Sequence, residues 1–148
     1  MLKTIADAID AVRPAPTASA HCDGPCGVYD PASIRIAAEA AVSMTKKILA
    51  LTPPDASDAK AMAAYLNTMS RYVAIKEEQA HLAKEEILVL WTDYFKPEHL
   101  EAHPELHDLV WRVGKLGSHV KQNVDMEKAI EFKEAIQEVE KVFWLTKK

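Results

Sequence analysis

The chain has 148 residues, 49% of them apolar and 27% charged, with a formal net charge of −4. That length fits one domain with a single sizeable core, and an acidic balance without any basic cluster excludes a general nucleic-acid binder. No apolar run reaches the ~20 residues a membrane span needs, and two cysteines are too few for a disulfide-stapled secreted scaffold.

Residues 1–20 read as a cleavable leader. A short amphipathic piece (Ile5, Ala8, Ile9, Val12) is followed by Arg13-Pro14-Ala15-Pro16-Thr17-Ala18-Ser19-Ala20, small and Pro-rich, where a peptidase can cut. Ala18-Ser19-Ala20 imitates a secretory cleavage site, but Asp7 and Asp10 interrupt the uninterrupted apolar core that export requires. The expectation is a pro-peptide removed in the cytoplasm.

Residues 21–31 follow as His21-Cys22-Asp23-Gly24-Pro25-Cys26-Gly27-Val28-Tyr29-Asp30-Pro31, with both cysteines and two of the four glycines. Residues 32–148 read as helix throughout. Asp30-Pro31 can start the first helix, whose apolar face is Ile34, Ala37, Ala41, Met44, Ile48 and Leu51. Thr52-Pro53-Pro54-Asp55 ends it. A second helix, capped by Ser57 or Asp58, carries Met69, Val73, Ala80, Ala83, Ile87, Leu90 and Tyr94, with Lys76 as the misfit in its stripe. Unbroken from 58 to 94 it would be roughly 55 Å long, so its first turns should project, bend or break.

Phe95-Lys96-Pro97 stops that helix. A third, opening at Pro104, carries Leu106, Leu109, Val110, Val113, Leu116 and Val120, with Gly114 and Gly117 weakening its end. A fourth, from Asp125 to Thr146, presents Ala129, Phe132, Ile136, Val139 and Phe143, and Lys147 and Lys148 complement its dipole. The expected fold is all-α, an antiparallel four-helix bundle with an N-terminal metal-binding hook. Trp91, Trp111 and Trp144 are expected in or beside its core.

Several constellations fall short of a site. A di-iron bundle needs Glu-x-x-His on two helices, and only Glu78-Gln79-Ala80-His81 fits, so these read as solvated surface. His99, His103 and His107 would align on one helix, but Pro104 interrupts it, leaving surface histidines near a helix start. No phosphate loop or nucleophile elbow is present. Cys22 and Cys26 alone are a weak signal, since zinc lacks a second ligand pair and a redox pair is more often C-x-x-C.

Cleavage after Ala20 changes the chemistry. The freed His21 amine, the Cys22 amide nitrogen and the Cys22 thiolate form fused chelate rings, which favour a planar array. Nitrogen and sulfur donors in that geometry point to Ni(II) or Cu(II). Gly24-Pro25 turns the chain so that Cys26 closes the fourth corner, and the His21 imidazole can reach an axial position. Two rivals stand beside an enzyme: a nickel or copper carrier without turnover, and a structural bundle with a redox pair.

The stretch from His21 to Pro31 resembles the hook of the nickel superoxide dismutases. Leu90-Trp91-Thr92-Asp93-Tyr94-Phe95-Lys96-Pro97, Pro104-Glu105-Leu106-His107 and Phe143-Trp144-Leu145-Thr146-Lys147-Lys148 resemble that family in the same order, with an apparent insertion around residues 50–68. The resemblance implies dismutation of superoxide to oxygen and hydrogen peroxide through a Ni(II)/Ni(III) cycle, with one nickel per chain, in a homohexamer of four-helix bundles. It implies His21, Cys22 and Cys26 as ligands, and Tyr29 and Tyr94 at the border of the substrate pocket. Asp23 would contribute a backbone amide facing substrate, and Lys96 would steer the anion near the entrance. Family members hydrogen-bond the axial imidazole to a Glu of the first helix, backed by an Arg of the second. Those positions here are Ala37 and Gln79, which makes Gln79 the expected partner of the imidazole, directly or through water.

Overall fold

The computed structural model describes residues 27–147. The leader and the hook residues His21, Cys22, Asp23 and Cys26 lie outside the described residues. Within them the chain is helical and has no strand.

Helix α1 spans Ala32–Leu49. The Asp30 carboxylate accepts from the Ala32 N–H at 2.8 Å, so the capping side chain stands just ahead of Pro31. The buried face is Ile34, Ala37, Ala38, Ala41, Thr45 and Ile48. Thr45 takes a core position because its hydroxyl donates to the Ala41 carbonyl at 2.9 Å. Asp55 folds the following loop by accepting both the N–H and the hydroxyl of Ser57.

Helix α2 spans Ala59–Val89 and is capped by Asp58, which accepts from the Ala61 N–H at 2.9 Å. Its 31 residues make it about 46 Å long, against about 27 Å for the 18 residues of α1. Lys47, near the end of α1, sits 5.9 Å over the Tyr72 ring. The turns of α2 before Tyr72 therefore run past α1 without breaking, and none of residues 59–75 is fully buried. The helix passes directly into a π turn, Leu90–Tyr94, closed by the Phe95 N–H on the Leu90 carbonyl at 3.0 Å.

Phe95 and Lys96 are extended, as Pro97 favours for the residue just before it, and a short helix α3 follows at Pro97–Ala102. The sequence gives no apolar period over this stretch, and α3 contributes no fully buried residue. Helix α4 spans Leu106–Gln122 and α5 spans Met126–Thr146. The two glycines of α4 do not end it. At Gly117 a Cβ would lie 3.0 Å from the Phe132 ring, so the missing side chain is what lets α5 pack close.

Helix α1 packs on α2, α2 on α4, α4 on α5, and α5 back on α1. Lys76 resolves as a cap rather than a misfit. Only 1% exposed, its ammonium group donates to the carbonyls of Val120, Lys121 and Asn123 at the C-terminus of α4. Those are the groups a helix end leaves unsatisfied, and a cation there also meets the negative end of the dipole.

The tryptophans depart from expectation. Trp91 is half-buried against the core, but Trp111 is 67% and Trp144 50% exposed. On α4 the core face is set by Leu106, Val110, Val113 and Val120. Trp111 stands about 100° round the helix from Val110 and so faces outward.

Candidate metal centre

Gly27, directly after Cys26, is the first residue the structure describes, and it has φ of +67°. Nothing lies within 4 Å of the place a Cβ would take, so the glycine is needed for its backbone conformation and not for space. This left-handed residue turns the chain between the segment carrying Cys26 and the start of α1.

Tyr29 then drops into the end of the helical body and is 9% exposed. Its ring lies 5.5 Å from that of Tyr94, tilted by 59°. Tyr94 is carried there by the π turn. It packs 4.5 Å from Phe143 and 5.7 Å from the His99 ring. The Tyr94 and Thr146 hydroxyls are 3.1 Å apart, and the Thr146 hydroxyl donates to the Phe143 carbonyl at 2.9 Å. A threonine has one hydroxyl hydrogen, so Tyr94 is the donor to Thr146.

Lys147 closes the arrangement. Its ammonium group donates to the Tyr29 carbonyl and sits 5.0 Å over the Phe143 ring and 5.3 Å over the Trp144 ring. Tyr29, three residues after Cys26, is thereby tied to the far end of the chain. Around these groups opens a cleft of about 810 Å³, lined by Gly27, Tyr29, Tyr94, Lys96, His99 and Lys147 among others.

Tyr29, Tyr94 and Lys96 thus converge, whereas Gln79 is half-buried and lies fifteen residues before Tyr94 along the second helix. Ala37 is buried at 1% exposure. His99 is not a plain surface residue: it is half-buried beside Tyr94, and its Nδ1 accepts from the Lys96 N–H at 3.3 Å. His107 accepts from the Trp91 indole at 3.1 Å, and His103 faces Glu105. These three histidines form no common cluster. Among the described residues no group of three His, Cys, Asp or Glu side chains could hold a metal ion. Sequence reading missed Thr146, Lys147 and His99 at this site. The Tyr94-Phe95-x3-His99 spacing was the available signal for the histidine, while Lys147 read only as a dipole complement.

The donor chemistry fits nickel. Both cysteines and His21 fall within the six residues His21 to Cys26, directly ahead of Gly27, which lines the cleft with two tyrosines, two lysines and the carboxylates of Asp93 and Glu98. This points to a class: a helical protein whose candidate metal donors precede its helical body in sequence. The family described as nickel-containing superoxide dismutase matches residues 16–147. The chain is 42% identical over 138 residues to a superoxide dismutase (Ni) of Streptomyces coelicolor, covering 91% of this chain and 94% of the relative. It is 43% identical over 133 residues to one of Streptomyces seoulensis, covering 88% and 90%. A native nickel superoxide dismutase structure superposes with a TM-score of 0.73 at 41% identity, covering 86% of this chain and all of that one. The chain belongs to the nickel-containing superoxide dismutase family, and is accordingly an oxidoreductase with nickel as its cofactor.

Proposed function

We propose that this enzyme is made as a pro-protein, is cut after Ala20 by a peptidase in the cytoplasm, and then holds nickel through His21, Cys22 and Cys26. The nickel, when bound, supplies a one-electron couple between Ni(II) and Ni(III). The Cys22 and Cys26 thiolates and the Cys22 amidate would stabilise the higher charge, and the His21 imidazole would add to this. The overall reaction consumes two superoxide ions and two protons and yields one oxygen and one hydrogen peroxide. A carrier without turnover has no support beside this reading.

The observation that carries the proposal is the cleft at Gly27, the residue after Cys26, lined by Tyr29, Tyr94, Lys96 and Lys147. Superoxide is an anion and the chain is net negative, so attraction must be local. Lys96 and Lys147 provide it, against the carboxylates of Asp93 and Glu98, which line the same cleft. The Tyr94 hydroxyl, held by its hydrogen bond to Thr146, and the Tyr29 ring line the cleft. Asp23 adds a backbone amide toward the substrate position.

The ring of α1, α2, α4 and α5 supports an antiparallel four-helix bundle with the hook at one end. Assembly into a homohexamer is supported by apolar surface that a lone chain leaves in water. Val28 (76%) and Leu145 (74%) are exposed at the hook end, and Trp111 borders a groove of about 310 Å³ between α2 and α4.

Mass spectrometry and metal analysis of the native protein test the proposal. A mature chain beginning at His21 with about one nickel is expected, giving an electron-spin signal of axially nitrogen-ligated Ni(III). Active protein still beginning at Met1 would overturn the processing step. After correct cleavage His21→Gln should keep nickel and lose most dismutation, and unchanged activity would remove the axial role.

A further inference from the structure

The ring and the hydroxyl of Tyr94 are held by separate means. Phe143 packs on the ring at 4.5 Å, Phe95 at 5.1 Å, Tyr29 at 5.5 Å and His99 at 5.7 Å. None of these contacts sets where the hydroxyl proton goes, because an O–H turns about its own C–O bond without moving the ring. Thr146, the last residue of α5, does set it: its hydroxyl lies 3.1 Å from that of Tyr94.

Thr146 has a second partner, which decides the direction of that bond. Its hydroxyl stands 2.9 Å from the Phe143 carbonyl, which also accepts the Lys147 N–H at 2.9 Å. A carbonyl has two lone pairs and no proton, so it takes both donors. The one hydrogen of Thr146 is then used, and Thr146 meets Tyr94 with a lone pair. A phenol also has one hydrogen. With that hydrogen given to Thr146, any further partner of the Tyr94 oxygen has to be a donor. Tyr94 and Thr146 both line the cleft, together with Lys96, Lys147 and the carboxylates of Asp93 and Glu98.

We propose that Thr146 is a positioning residue that sets specificity: by taking the Tyr94 proton it makes Tyr94 an acceptor in the cleft. Superoxide is an anion without a proton to give, whereas water and hydrogen peroxide are donors. Tyr94 therefore receives water and the protonated product, and the anion is left to the two lysines. Thr146 acts only through Tyr94. The inference rests on the reading of Tyr94 as a border of the substrate pocket, which Tyr94→Phe tests by itself.

The test uses the cleaved, nickel-loaded enzyme in wild-type, Thr146→Val, Thr146→Ser, Tyr94→Phe and doubly substituted Tyr94→Phe, Thr146→Val forms. Azide is the probe anion, read by its inhibition of dismutation. Valine has the shape of threonine without the hydroxyl, so Thr146→Val frees the Tyr94 proton to turn toward an anion. Its azide inhibition constant should fall about tenfold, the low end for a hydrogen bond to a charged group. Thr146→Ser restores the hydroxyl and should restore the wild-type constant. Tyr94→Phe has no proton to free, so adding Thr146→Val to it should change nothing, the mark of two residues acting as one unit. In the full-length chain labelled with 13Cζ-tyrosine, the Tyr94 resonance should move in Thr146→Val and return in Thr146→Ser, a readout that needs no turnover. Thr146→Ala carries the same comparison where the valine variant does not fold.

A wild-type azide constant in Thr146→Val, or an equal fall in the Tyr94→Phe background, would overturn the proposal. So would an unmoved Tyr94 resonance. Loss of helicity in both the valine and the alanine variants would overturn it too, by assigning Thr146 to helix packing. A wild-type dismutation rate in Tyr94→Phe would sink the reading of Tyr94 at the pocket and the inference with it, while leaving the shift of the Tyr94 resonance in place.

Discussion

Lys76 and Lys147 stand at opposite ends of the helical body, and each gives its ammonium group to main-chain carbonyls. Lys76 is 1% exposed and donates to three carbonyls at the end of α4. Lys147 is exposed and donates to one carbonyl, that of Tyr29, at the base of the hook. The same group does different work in the two settings. In the interior, water cannot replace a lost donor, so Lys76 acts on the stability of the whole fold. At the rim of the cleft, water can replace it at little cost to folding. What water cannot supply there is a fixed position for the Tyr29 backbone and a positive charge in the cleft. Lys147 should therefore weigh on function far more than on stability.

The largest effect separates the two at once. Lys76→Met keeps most of the apolar stem and removes every donor, leaving the end of α4 without its cap. The expected loss is about 3 kcal/mol of stability, the range for unsatisfied buried groups and lost charged hydrogen bonds. Chemical denaturation would read it. The rate per folded, nickel-loaded molecule should be unchanged. A Lys76→Met chain of wild-type stability would show that this end of α4 does not need the ammonium group.

Lys147→Met is the mirror experiment. Stability should change by less than about 1 kcal/mol, as exposed charged groups contribute little. The rate should fall several-fold, more steeply at low salt, because the lost charge faces the cleft and screening already weakens it at high salt. Lys147→Arg should recover most of the salt dependence. A loss of rate independent of salt would leave Lys147 with anchoring alone.

These two lysines also show how far the sequence was legible. Helical periodicity located α1, α2, α4 and α5 because each buries one continuous face. It could not place α3, six residues long with no buried face. It flagged Lys76 as an irregularity and no more, since the carbonyls that receive it lie some forty-five residues away in sequence. Tyr29 and Tyr94 were legible through the resemblance of their flanking residues. Lys147 and Thr146 were not, because their partners Tyr29 and Tyr94 come from the other end of the chain and from a π turn, which no local period announces. The tryptophans mark the reverse failure. Trp111 and Trp144 are the size of core residues but are exposed, and hydrophobicity alone does not distinguish a core position from a surface one.

The smallest effect probes the same turn that Lys76 holds, from its exposed side. Asp125 caps α5 by accepting from the Lys128 N–H at 3.1 Å, and His119 approaches its other oxygen at 3.2 Å. The Lys128 N–H is the main cause that holds the Asp125 carboxyl below the usual carboxylate range; slight burial opposes it, and His119 adds to it. With a folded-state pKa below the unfolded one, the unfolded chain binds more protons in the window between them, so stability rises with pH through that window. The contribution is complete above the ordinary aspartate pKa of about 4 and is lost as the pH falls through the lowered value. Asp125→Ala should lower Tm at neutral pH, and its gap from wild type should narrow on acidification below about pH 4. Asp125→Asn retains an acceptor without a titrating proton, so its smaller gap should narrow less. The Lys76→Met gap should persist over the same acid range, because Lys76 stays charged there even though burial pushes its pKa down, with Glu77 partly offsetting this. If both gaps closed together on acidification, the buried and exposed holds on this turn would be one electrostatic unit, and the distinction between an interior ammonium group and a surface carboxylate would fail at this end of the molecule.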